Sequence, residues 1–175
     1  MNITRELLRD KNACAEGYRW FCSKFPQGGE YQSVLDALAA DDQPDWAMWL
    51  LQQVGPTSDV VDLTGEVTAK HVFVAGTLRV SDSISVAGHI EAGRGIKAGW
   101  GIKAGRGIKA GLGIEAGLGI EAGLAIRCRL TLSAGLRIFA GICSWRVPTD
   151  EEQRIECGKL LRGMISYGCL VEGNS

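Results

Sequence analysis

From Ile90 to Ala125 the chain reads IEAGRG, IKAGWG, IKAGRG, IKAGLG, IEAGLG, IEAGLA. Isoleucine opens each six-residue unit, a charged residue follows it, and Ala and Gly stand third and fourth. The phase continues through IRCRLT, LSAGLR and IFAGIC to Cys143, and back through ISVAGH, LRVSDS and VFVAGT to Val72, twelve units without a break. A weaker pair upstream, Val61 with Leu63 and Val67 with Ala69, lies one residue out of phase.

This spacing excludes an amphipathic helix, which needs apolar residues three and four apart, and collagen, which needs Gly at every third position with abundant Pro; the chain has 4 Pro. Apolar first and third positions around a charged second one describe a short strand with one buried face. Gly at the fourth and sixth positions supplies a tight corner. Such strands are unstable alone, so the units must coil and stack, three to a triangular turn of about 18 residues. The expected fold is mainly β: a parallel β-helix of about four coils over 72–143, each rising roughly 4.8 Å.

The charges support that period. A step of three units sets Glu91 beside Lys109, Lys97 beside Glu115 and Lys103 beside Glu121, all opposite pairs, whereas shorter steps create like-charge neighbours. Exposed pairs contribute only ~0.2–1 kcal/mol each, so they serve register more than stability. The inward ladders, such as Ile90, Ile108 and Ile126, contribute more, at ~1.5–3 kcal/mol per buried side chain.

A solenoid needs its strand edges covered at both ends. Residues 1–56 read as a helical module. Thr4 stands before ELLRD, Tyr18, Trp20, Phe21 and Phe25 fall in one segment, Val34, Leu35 and Leu38 in another, and Pro44 opens a third holding Trp46, Trp49, Leu50 and Leu51. Residues 60–147 are the solenoid. In the C-terminal capping segment, 148–175, Thr149 and Glu152 have capping-box spacing, but IECGKLL and MISYGCLV alternate about Arg162-Gly163, and a hairpin cap is expected.

Composition narrows the function. Nineteen Lys plus Arg against 20 Asp plus Glu give a net charge of −1, so no global field favours direct nucleic-acid binding. The charged amino terminus lacks a signal-peptide core, and no apolar run approaches a membrane span, so a cytoplasmic protein without membrane contact is expected. The six cysteines form no C-x-x-C pair and read as reduced, mostly buried thiols.

No catalytic, cofactor or metal site is expected. Gly93-Arg94-Gly95-Ile96-Lys97-Ala98 imitates a dinucleotide fingerprint, but it lies inside a repeat with no helix after it. His71 and His89 lack a nucleophile at a certifiable distance and ligand spacing for a metal. The fifth position is more informative: Arg94, Trp100, Arg106, Leu112, Leu118 and Leu124. Arginine in a dry lumen costs several kcal/mol, on the order of an unpaired buried polar group or more, so this position turns outward. Trp and Arg dominate binding hot spots, and these six residues are the candidate interface, with a partner protein or a second copy. The alternative is that Leu at this position closes the core or packs under the terminal cap.

The tract IEAGLGIEAGLGIEAG, following the segment LLRDKNACAEGYRWF, resembles small helix-capped solenoid proteins of phages and prophages. That resemblance implies a non-enzymatic inhibitor of a bacterial defence complex, anti-CRISPR or similar, that covers a surface of a host target such as a CRISPR effector. The tract is also similar in pattern to bactofilins, whose solenoids polymerise, although an ordered helical cap departs from their disordered tails. The enzymatic alternative is an acyltransferase of the hexapeptide class, which uses a histidine in this kind of scaffold and would need His71 or His89 in a cleft between subunits.

Overall fold

The computed structural model describes residues 1–173; the expected C-terminal segment thus ends in two residues, 174 and 175, outside the described ones. The chain is mainly β, a parallel solenoid with helices at its N-terminus. Its first face stacks Val61, Leu78, Ile96, Ile114, Leu132 and Leu160. The second stacks Val67, Ile84, Ile102, Ile120, Ile138 and Ile165. The third stacks Val72, Ile90, Ile108, Ile126, Ile155 and Leu170.

Six residues on each face make about six turns, against the four expected. One of the added turns comes from the out-of-phase pair. Val61 sits beside Leu78 and Val67 beside Ile84, seventeen residues on, because Lys70 and His71 make a two-residue corner where later corners use three. The other comes from the C-terminal segment, which does not form the expected hairpin. Strands Arg154–Cys157, Lys159–Tyr167 and Cys169–Glu172 all pair parallel with the turn before them. Here the apolar spacing falls to five, Ile155, Leu160, Ile165 and Leu170, with Gly158, Gly163, Gly168 and Gly173 each three residues later. Gly163 at φ +115° and Gly168 at φ +108° take the chain around with one residue fewer per unit than a six-residue corner needs. A parallel turn continues the open ladders of Ile126–Cys128 and Thr131–Ala140, whereas a hairpin would leave one of them unpaired. The strand Thr131–Ala140 runs across two faces, and Lys159–Tyr167 follows it with register shifts.

The expected pairs form: Lys97 with Glu115 at 3.0 Å, Lys103 with Glu121 at 2.8 Å and Lys109 with Glu91 at 2.7 Å. The fourth-position glycines are required by close approach, since a Cβ on Gly117 would lie 1.9 Å from the carbonyl oxygen of Gly99 one turn back. The sixth position is roomier, and the sequence places Thr77, Ser83 and His89 there.

The N-terminal module holds α1 (Arg5–Asp10), α2 (Ala15–Lys24), α3 (Tyr31–Ala40) and α4 (Pro44–Val54). Thr4 caps α1, its hydroxyl accepting from Leu7 N–H at 3.2 Å, and Pro44 occupies the first turn of α4, where its missing N–H costs nothing. Ile3, Phe21, Tyr31, Leu35 and Leu38 close its core together with Phe73 and Ala75 of the solenoid. Phe73 points outward from the third face, so the module lies against that face.

The strand Val72–Val74 begins the third face and has no strand before it. Gln32 of α3 stands in for one. Its Nε2 donates to Phe73 O at 2.8 Å, and its Oε1 accepts from Ala75 N–H at 3.0 Å. Thr57 N–H adds the next rung, donating to Ala75 O at 3.0 Å. Replacing Gln32 with Leu keeps the bulk but strands two backbone groups, so it is expected to lower unfolding stability by about 1–3 kcal/mol in urea titration. Gly117→Ala is expected to cost more, because backbone must move.

Candidate interaction surface

The three corners of each turn build three edges along the rod, and the fifth-position residues climb them. Backbone hydrogen bonds hold them in register: Arg94 N–H donates to Gly76 O, Trp100 N–H to Asp82 O, and Arg106 N–H to Gly88 O. One turn on, Leu112, Leu118 and Leu124 donate to the carbonyls of Arg94, Trp100 and Arg106. The six candidate residues therefore stand as pairs on three separate edges. Sequence spacing places them at one position of the repeat, and the threefold winding distributes that position around the rod.

Above Asp82, one of these edges carries three exposed apolar side chains in succession. Trp100 is 59 % exposed, Leu118 46 % and Leu136 60 %, stacked one above the next. Leu112 and Leu124 are half-buried, and Arg94 and Arg106 are exposed on their own edges.

A second apolar group escaped the sequence reading. Ile126 and Ile155 are register partners although 29 residues apart, so the third face hides an insertion, carried by the loop after Ala140. The loop presents Ile142, Trp145 and Val147, the last 86 % exposed. It is braced: Arg146 Nη1 donates to Glu152 Oε2 at 2.6 Å, and Thr149 N–H donates to the same oxygen at 2.9 Å, the capping-box contact its spacing implied. The Arg146 guanidinium, with help from that amide, holds the Glu152 carboxyl at about 2. Between the loop and the second face lies a concavity of about 590 Å³ lined by Phe139, Ile142, Val147, Pro148, Ser166 and Tyr167. The available signal was the loss of six-residue phase after Cys143.

The two histidines lie together where the two-residue corner meets the helical module. His71 is buried, its Nε2 3.0 Å from Asp42 Oδ1 and its Nδ1 accepting from His89 N–H at 3.1 Å. Since Nδ1 accepts, Nε2 carries the proton and donates to Asp42. Both ring nitrogens are engaged, and the imidazole ties the α3–α4 turn to the rod. His89 stacks on it at 5.9 Å, and burial, followed by the nearby His71 and Arg106, pushes its pKa down to about 4.

The helical module also has a cleft of about 290 Å³ walled by Trp20, Phe21, Trp46 and Trp49, with Asp45 its one carboxylate. Trp20 is fixed by donating to Asp41 Oδ2 at 2.7 Å. Among the cysteines, Cys128 and Cys157 are buried as expected, but Cys14 and Cys169 are exposed. No set of three or more His, Cys, Asp or Glu among the described residues could hold a metal, and no described helix is long and apolar enough to cross a membrane.

Residues 1–55, the helical module, match the family model of the YdhT N-terminal domain. No curated protein and no solved structure matches the chain.

The histidine stack makes stability depend on pH. His89 is neutral in the folded state down to about 4 and takes up a proton near 6.5 when unfolded, so its contribution is complete above 6.5 and is lost as pH falls towards 4. Melting temperature is expected to drop across that window, and His89→Gln, which cannot titrate, to flatten the drop.

Proposed function

We propose that the chain is a non-enzymatic protein-binding protein of the bacterial cytoplasm, a rigid rod that holds an apolar surface ready for a partner. The observation that carries this reading is the ridge of Trp100, Leu118 and Leu136, three large apolar side chains kept in water by a backbone register that gives them no way inward. The ridge borders the second face, and Leu118 and Phe139 line one groove there, so the ridge and the loop concavity flank one surface. Apolar areas of this kind mark interaction sites, and Trp is prominent among residues that carry binding energy. Because stacked strands fix the ridge, little conformational freedom is lost on docking.

The partner class is a host defence complex such as a CRISPR effector, and the protein is phage-borne, acting by covering a surface of that complex. Support for this comes from the resemblance of the IEAGLG tract to phage and prophage solenoids. A second reading, self-association, is favoured by strand edges open at both ends, Val60–Leu63 and Val67–Ala69 at one and Lys159–Tyr167 at the other.

The test is expression of the chain in bacteria carrying an active CRISPR system, scored by phage plating, with binding to the purified effector measured in parallel. The wild type is expected to restore plating, and Trp100→Ala or Leu118→Asp to weaken effector binding by about 2 kcal/mol or more, roughly 30-fold, with an unchanged melting curve. Full activity in both variants would remove the ridge from the mechanism. Failure to restore plating, together with a mass that climbs with concentration in light scattering, would favour self-association.

A further inference from the structure

The last long strand, Lys159–Tyr167, is hydrogen-bonded on one side only, to Thr131–Ala140. Its other edge faces away from the rod. One amide on that edge is already served by a stand-in: Leu160 N–H donates to Glu172 Oε1 at 2.6 Å, a carboxylate in the place where a further strand would bring a carbonyl. In the complete turns the inward residue's N–H reaches the following turn in this way, as Leu78 N–H does to Gly95 O at 2.9 Å.

Two further features adjoin this edge. The strand ends in Ser166 and Tyr167, which form one wall of the 590 Å³ concavity under the inserted loop. An insertion in an otherwise regular solenoid commonly marks its binding face. Around the edge stand Arg137, Lys159 and Arg162, none in an ion pair among the described residues. An open strand edge, an apolar hollow at its end and unmatched cations beside it describe the receiving half of a strand-addition site.

We infer that Lys159–Tyr167 accepts an extended segment of the partner protein as a further strand. Alternate apolar side chains of that segment enter the concavity, and acidic ones meet Arg162 and Lys159. This rests on the protein-binding reading above and names the partner's segment. A second copy fits less well, because at its opposite end Gln32 already fills the rungs of the third face, leaving two of three edges to offer.

The probe is a fluorescein-labelled dodecapeptide of alternating Val and Glu, titrated with the full chain at low salt and followed by anisotropy. Saturable binding is expected, weakened at least about tenfold by Val147→Asp and by Arg162→Glu, and strengthened by Glu172→Ala, which clears the edge. The same peptide N-methylated at alternate residues keeps its side chains but cannot form rungs, and is expected not to bind. The inference is overturned if the unmodified peptide fails to bind, if the N-methylated one binds equally, or if the chain oligomerises through this edge and excludes the peptide. Phage plating by the Leu118→Asp variant depends on the ridge, so the protein-binding reading can survive failure of the peptide test.

Discussion

The structure depends on one steric and solvation constraint: an aliphatic side chain must lie over its counterpart one turn away, with no water between them. Ile96, Ile114 and Leu132 satisfy it at 2 % exposure or less. Once those columns are in register, the charged second positions form ladders, and the fourth-position glycines from Gly93 to Gly123 come within reach of a carbonyl one turn back, where a Cβ would clash. The fifth positions are driven out along the edges. Register is therefore set from inside, and the outer surface follows from it.

The exposed ridge is the outward expression of the same register. Backbone hydrogen bonds between successive corners hold Trp100, Leu118 and Leu136 in line, independently of what those side chains are. The rod carries Trp, Leu and Arg alike at this position, a separation of scaffold from displayed side chain, whereas Gly76 and Gly88, at the same position in an earlier turn, leave no room for a Cβ. The inserted loop has a different origin. It sits where the six-residue rhythm ends and the five-residue turn begins, and an ion pair and a short capping contact shape it.

The rod was legible because its signal repeats: period, buried positions and the Lys–Glu pairing all follow from one spacing. The helical segments were legible from Thr4, Pro44 and their apolar spacing. The C-terminal turn was not, because Ile155, Leu160 and Ile165 at five-residue spacing alternate locally much as a hairpin does. Choosing between the two requires knowing that the open ladders of the preceding turn need partners. The candidate interface was half legible. Its residue type and outward direction follow from the cost of burying Arg94, but its grouping depends on the handing of successive corners to different edges. Gln32 could not have been identified, since a lone amide in a helix carries no mark of the strand edge it will meet.

Gln32 and His71 clasp the rod at its first turn, whereas among the described residues no strand pairs with the outer edge of Lys159–Tyr167, so the rod is held asymmetrically. In a stack where each layer touches only its neighbours, loosening starts at the layer with fewest contacts and travels inward. A terminal layer has a neighbour on one side only, and the five-residue turn, which carries Tyr167 and closes the hollow, is one of the two. A guest seated in that hollow would therefore also hold the terminal layer in place.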